Sequence, residues 1–139
     1  MSRRHLVAGL LGVVLLPCAR TVAANAAEDP VRHRRVGDIV IHVAVEPVLP
    51  TVPRHLHRLV VTLRSAGSGA PIADAVVRAT VRGVGHPEPQ TRTLDAQDGP
   101  TFQGVVELPP RDTYQIVVEV ARSGAPAVAA SFIHRQLQP

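Results

Sequence analysis

The sequence predicts an all-β protein that folds as one antiparallel β-sandwich domain. Its 13 prolines and 10 glycines recur at short intervals, so no proline-free amphipathic stretch after residue 27 is long enough for a helix. Between these breaks the apolar residues alternate with polar ones, which is the period of a half-buried strand. Valine dominates the aliphatic residues, and its branched Cβ fits a pleated sheet better than a helix.

Residues 1–26 are predicted to be a cleavable signal peptide. Arg3 and Arg4 give a positive start, residues 6–16 form an uncharged apolar run, and Ala24-Asn25-Ala26 places small residues at a signal peptidase site. The apolar run has 11 residues, whereas a membrane-spanning helix needs roughly 20. We therefore expect a periplasmic or secreted bacterial protein without a stable membrane span.

The single cysteine, Cys18, leaves one alternative open, because acylation of this residue would hold the protein at a membrane. Pro17 disfavours acylation, since a very small residue normally precedes the modified cysteine. Cleavage after Ala26 would remove Cys18 and leave the mature domain without thiol chemistry.

Residues 27–36 are charged and are predicted to be a flexible mature N-terminus. The sandwich domain is predicted to occupy residues 37–139 and to begin with a strand over 38–46, whose odd-numbered residues are all Ile or Val. Proline- and glycine-rich turns separate the later predicted strands, which are 56–64, 75–82, 91–94, 101–108, 113–121 and 128–134.

Seven short strands with frequent turns are typical of an immunoglobulin-like sandwich, and a small barrel is the alternative. Tyr114 follows the turn at Arg111-Asp112 and lies at the start of the sixth predicted strand, a position that such sandwiches often give to a tyrosine. We expect its hydroxyl to bond upstream backbone and its ring to fill the edge of the core.

Charge and motifs exclude several classes of function. Removing the signal peptide leaves 12 Arg against 11 acidic residues, and only Phe102, Tyr114 and Phe132 are available for base stacking. A nucleic-acid partner is therefore not expected. The sequence also lacks a nucleophile elbow, a phosphate loop and a zinc-protease motif, so we expect no enzyme.

Histidine is the one abundant residue type with functional chemistry, and imidazole binds copper and zinc. His55 and His57 lie two apart in an extended segment, so their side chains share one side, and His86 lies in a loop between Gly85 and Pro87. These three are the predicted metal ligands. If His57 binds no metal, we expect it to lie at the edge of the core, because strand alternation places it on the same face as Leu59. The other three mature histidines are predicted to be solvated or in the flexible tail: His33, His42 and His134.

A series of motifs along residues 37–134 carries a family resemblance. In order they are the turn Gly69-Ala70-Pro71-Ile72-Ala73-Asp74-Ala75, the loop Gly83-Val84-Gly85-His86, the strand Phe102-Gln103-Gly104 and the hairpin start Asp112-Thr113-Tyr114. Together they resemble the YtkA-like and FixH-like exported sandwich domains. The resemblance implies a role in copper handling, oxidase assembly or metal efflux, and it places His86 at a candidate metal loop.

This chain departs from those domains because its mature part contains no methionine, the soft ligand that favours Cu(I). Any bound metal would then be Cu(II) or zinc, held by His86 with Glu88 or by the His55/His57 pair. We expect an exported, non-enzymatic binding or accessory module with a protein partner in the bacterial envelope. The alternative is a periplasmic Cu(II)- or zinc-binding protein linked to copper handling or oxidase assembly.

Overall fold

The structure, a computed structural model, describes residues 31–49 and 54–137. The predicted signal peptide, its cleavage site and Cys18 lie outside the described residues. The described chain forms nine strands, which are β1 (Val31–Val36), β2 (Ile39–Pro47), β3 (Leu56–Ser65), β4 (Val76–Gly83), β5 (Gln90–Thr93), β6 (Asp95–Ala96), β7 (Thr101–Glu107), β8 (Asp112–Ala121) and β9 (Val128–Gln136).

The strands form two sheets in which every pairing is antiparallel. The first sheet has the order β1-β2-β3-β7-β6, and the second has the order β5-β4-β8-β9. The prediction of an all-β antiparallel sandwich is confirmed, and each of the seven predicted strands is present within one or two residues of its expected bounds.

The core lies between the two sheets and is built from the alternation seen in the sequence. In β2, β3, β4 and β8 every second residue is buried while its neighbours are partly or fully exposed. Removing these side chains from water is the main favourable contribution to folding. The largest fully buried side chains are Tyr114, Phe102, Phe132, Ile39, Ile41, Leu59, Leu63, Leu108, Ile116, Val61, Val77 and Val81.

The prediction of a flexible segment was wrong for residues 31–36, which form β1 and pair with β2 from Val31↔Ala44 to Val36↔Ile39. The run Arg32-His33-Arg34-Arg35 hides the strand because it shows no alternation of apolar side chains. Backbone pairing and the inward side of the strand hold it instead: Val36 packs against the core, and the Arg34 guanidinium lies 5.8 Å from the centre of the Phe132 ring.

The antiparallel topology gives the sandwich two dissimilar ends. The first, which we call the histidine end, is where β3 and β8 begin and β4, β7 and β9 end. The second, the glycine end, carries the turns around Gly37, Gly69, Gly99 and Gly124. Over residues 31–49 and 54–137 the chain contains no helix long and apolar enough to cross a membrane.

Candidate functional site

Four of the described histidines lie at the histidine end. His57 pairs with Val106 near the start of β3, and the His55 carbonyl accepts a hydrogen bond from the Leu108 amide at 3.0 Å. In the second sheet, Tyr114 near the start of β8 pairs with Gly83 on one side and with His134 on the other. His86 follows Gly83 in the β4–β5 loop, so both sheets contribute imidazoles to the same end.

The best-defined polar contact at this end joins His86 to Asp112. Nδ1 of His86 lies 2.8 Å from Oδ2 of Asp112, and the two side chains are 50% and 8% exposed, respectively. Asp112 also accepts hydrogen bonds from the Gly85 amide at 3.0 Å and from its neighbour's amide, Thr113, at 2.7 Å. The carboxylate is thus fixed by backbone donors, and it fixes the histidine in turn.

The backbone brings this pair together through the last residue of β4. The Gly83 amide donates to the His86 carbonyl at 2.9 Å, and the Val84 amide donates to the Thr113 carbonyl at 3.0 Å, which folds the loop over β8. A Cβ atom on Gly83 would collide with Oδ2 of Asp112 and would lie 2.8 Å from Cε1 of Tyr114. Only glycine therefore allows the loop to approach β8 this closely.

Tyr114 packs against the His86 ring. It is buried, its hydroxyl donates to the Pro109 carbonyl at 2.6 Å, and its ring stacks with His86 at 6.3 Å between centroids and 19° between planes. Burial, followed by the charge of Asp112, raises the pKa of Tyr114 to about 12, so the hydroxyl stays a donor. The predicted structural role of this tyrosine is confirmed.

The electrostatics of the pair favour an ionised carboxylate beside an imidazole donor. The hydrogen bond from His86, and then the bond from the Gly85 amide, hold the pKa of Asp112 below its usual range. A carboxylate that accepts the Nδ1 proton leaves the lone pair of a neutral His86 ring on Nε2. Histidines that bind metal commonly have this arrangement, with one nitrogen donating to a carboxylate and the other free for the ion.

His57 has a comparable arrangement built on a backbone carbonyl. His55 adopts a positive φ of 49°, and its carbonyl lies 2.8 Å from Nδ1 of His57 while also bonding Leu108. His57 is only 5% exposed, as its parity with Leu59 predicts. Burial lowers the pKa of His57, and although the His55 hydrogen bond acts in the opposite direction, the ring is neutral near pH 7 with its lone pair on Nε2.

His134 was expected to be solvated, but the alternation of β9 continues to it and leaves the side chain half-buried on the inner side. Burial lowers the pKa of His134, although its hydrogen bond with Gln136 acts in the opposite direction. Nε2 lies 3.1 Å from Oε1 of Gln136, to which it donates, so the lone pair of the neutral ring is on Nδ1.

The structure places the three predicted ligands, His55, His57 and His86, at the same end of the sandwich. It does not arrange them as one ready site: within residues 31–49 and 54–137 no group of three or more His, Cys, Asp or Glu side chains is placed to hold a metal ion. The hydrogen-bond partner of His86 is Asp112, whereas Glu88 is exposed. His55 contributes its carbonyl to the local structure.

Sequence reasoning did not single out Asp112 or His134 for this end. Asp112 reads as an ordinary turn aspartate, and it is 26 residues from His86. The sequence did contain a signal for His134. It lies two residues after Phe132 and four after Ala130, so strand alternation places all three side chains on the inner face.

Comparison with known proteins identifies the fold but no family. No protein-family model matches the sequence, and no curated protein is similar enough in sequence to count as a relative. A DUF4426 family protein from Pseudomonas aeruginosa PAO1 superposes with a TM-score of 0.59 at 17% identity, covering 79% of this chain and 97% of that chain.

Two copper-bound proteins share the same fold. A copper-bound variant of FetP from uropathogenic Escherichia coli strain F11 has a TM-score of 0.56 at 12% identity, over 78% of this chain and 97% of that chain. A copper-bound variant of Campylobacter jejuni P19 has a TM-score of 0.56 at 9% identity, over 77% and 96%. At these identities the likeness concerns the fold alone.

Proposed function

We propose that this protein is an exported, non-enzymatic metal-binding β-sandwich that holds Cu(II) or zinc at its histidine end. The observation that carries the proposal is the His86–Asp112 pair. A half-exposed imidazole is held by a buried carboxylate through one nitrogen, which presents the other nitrogen to solvent as a ligand.

His57 and His134 supply the further imidazoles of the proposal. Both are neutral near pH 7 because burial lowers the pKa of each ring, and a neutral imidazole is the form that binds metal. Tyr114 lies next to both His86 and His134, since its ring stacks on His86 and its backbone pairs with His134. Binding of a metal by His86 together with these residues requires the β4–β5 loop to adjust.

The type of metal follows from the ligands that the mature chain offers. Imidazole and carboxylate suit Cu(II) and zinc, whereas the thioethers that favour Cu(I) are missing because Met1 is the one methionine of the sequence. The fold shared with copper-bound FetP and P19, and the resemblance to YtkA-like and FixH-like domains, support a metal role in general terms.

The test is a calorimetric titration of untagged residues 27–139 with Cu(II) and with zinc. We expect His86→Ala to remove most of the binding at this end. Asp112→Asn keeps the ring but replaces the carboxylate by a neutral amide, and we expect it to weaken affinity by about 10–100-fold, the effect usual for changes to the group that supports a metal-binding histidine.

Glu88→Gln is the matched control, because it removes an exposed carboxylate from the same loop without touching the His86–Asp112 pair. Its affinity should equal that of the parent protein. Unchanged Cu(II) and zinc affinities in His86→Ala would contradict the proposal.

A second candidate is an accessory module that docks on an envelope protein. Three large apolar side chains are strongly exposed at the histidine end, namely Leu49, Val84 and Leu137. A protein partner that covered these side chains would remove their apolar surface from water. A chain that binds neither Cu(II) nor zinc at His86 would leave this second candidate as the function to pursue.

A further inference from the structure

The hairpin of β1 and β2 places two histidines directly opposite each other. The turn has only two residues between Val36 and Ile39, which fixes the register so that His33 pairs with His42. Their rings stack with centroids 5.5 Å apart and an angle of 29° between planes. Because Ile41 and Val43 face the core on either side of His42, both rings lie on the outer face of the first sheet.

We propose that His33 and His42 form a second metal site, in which one Cu(II), Ni(II) or zinc ion is held between two imidazoles on neighbouring strands. This site lies on the other face of the first sheet from His57 and does not depend on the function proposed for the histidine end. Solvent would supply the remaining ligands, since His42 also lines an open groove of about 260 Å³ with Ala44 and Val60.

The spacing of the rings fits one shared ion. Metal–nitrogen bonds of about 2.0–2.1 Å put the centres of two coordinated imidazoles roughly 4.5 Å apart at a right angle, roughly 5.2 Å apart at a tetrahedral angle and roughly 6.4 Å apart when opposite. The observed 5.5 Å lies within this range. We therefore expect rotation of the side chains, without movement of the strands, to direct one nitrogen of each ring at the ion.

The protonation state also suits binding. Partial burial, and then the proximity of His33 and Arg64, lowers the pKa of His42, which favours the neutral ring. The charged groups that face the pair are Arg35 on β1 and Arg64 on β3. Both guanidinium groups are engaged by backbone carbonyls, Arg35 with Gly37 and Arg64 with Gly69.

An ion at this position would fasten an edge strand. β1 is the outermost strand of its sheet and pairs with β2 alone in that sheet. Ligands that bind only the folded state stabilise it, and here the effect would concentrate on the β1–β2 hairpin. Metal should therefore slow hydrogen exchange of the β1 amides more than that of β8, which lies in the other sheet.

The experiment uses untagged residues 27–139, which include every described residue, with His86→Ala to remove the principal ligand of the histidine end. We expect Cu(II) at pH 7.5 to broaden the amide resonances around residues 33 and 42. The double variant H33T/H42T should lose this broadening, because threonine keeps the strand propensity but cannot replace the imidazoles. Affinity should follow the order Cu(II), then Ni(II) and zinc.

The metal-free spectrum of each variant shows whether the hairpin is intact, and H42T alone serves if the double variant loses β1. Broadening that persists in the threonine variants, or that never occurs near residues 33 and 42, would overturn the second site. Neither result bears on the histidine end, which is tested separately by comparing His86→Ala with its parent.

Discussion

Both ends of the sandwich contain residues with a positive φ, but the residue types that adopt it differ between the ends. At the glycine end the chain reaches positive φ at Gly37, Gly69, Gly99 and Gly124, and the space around their Cβ positions is open. At the histidine end the same region of conformation is occupied by His55 and Arg111, with φ of 49° and 60°. Residues other than glycine rarely adopt this backbone conformation, because their Cβ atom crowds the backbone.

The difference indicates which end is specialised. Glycine turns cost little and can be placed wherever a chain must reverse. Strained residues persist only where surrounding contacts hold them, and they cluster at functional sites. His55 is held by two hydrogen bonds to its carbonyl, and Arg111 by the bond from its amide to the Gln136 carbonyl at 2.6 Å.

The largest expected effect tests the core that joins the two ends. Val118 is fully buried in β8, so Val118→Asp places an unpaired charge between the sheets. We expect the free energy of unfolding to fall by about 3–5 kcal/mol, measured by urea denaturation. Glu119→Asp is the matched control, because Glu119 is exposed on the other face of the same strand, and its effect should be within about 0.5 kcal/mol. Equal losses for both variants would contradict the assignment of faces in β8.

A pair of glycine substitutions compares the ends directly. Gly83→Ala should lower the free energy of unfolding by about 2–3 kcal/mol, because the new methyl group collides with Asp112 and Tyr114. Gly99→Ala meets no neighbour and should cost about 1 kcal/mol, from the positive φ alone. Thermal unfolding of both variants measures the difference. The reverse order would show that the close approach at the histidine end is not required.

Stability should also depend on pH through the buried histidines. The pKa values of His57 and His134 are lowered in the folded state, so the unfolded chain binds more protons once the pH falls below about 6.5. Their contribution is fully present above that pH and is lost as the pH falls through the folded pKa values. Urea denaturation at pH 7.5, 6.5 and 5.5 should show this decline, and His57→Gln should reduce its slope. A slope unchanged by the substitution would contradict the account.

Strand alternation predicted the sandwich well because valine and isoleucine at every second position are a local signal. The alternating residues from Ile39 to Val45 and from Tyr114 to Val120 predicted β2 and β8 to within one residue of their observed ends. β1 was missed because its outward positions include His33 and Arg35 and its inward positions include Arg32 and Arg34, so no apolar alternation marks it. Backbone pairing with β2 forms this strand, and pairing leaves no periodic mark in the sequence.

The site was harder to predict because its contacts join distant parts of the chain. The His86–Asp112 pair depends on the close approach of the β4–β5 loop to β8, which no spacing rule expresses. The opposition of His33 and His42 had a local signal, the dipeptide Gly37-Asp38, which is typical of a two-residue hairpin turn. Reading that turn would have placed both histidines on adjacent strands.

The measurement that tests the central claim most directly is anomalous X-ray diffraction from crystals of residues 27–139 soaked with Cu(II). The account predicts a copper peak about 2.0–2.1 Å from Nε2 of His86, with Nδ1 still bonded to Asp112. Copper bound elsewhere on the protein, with Nε2 of His86 free, would contradict it.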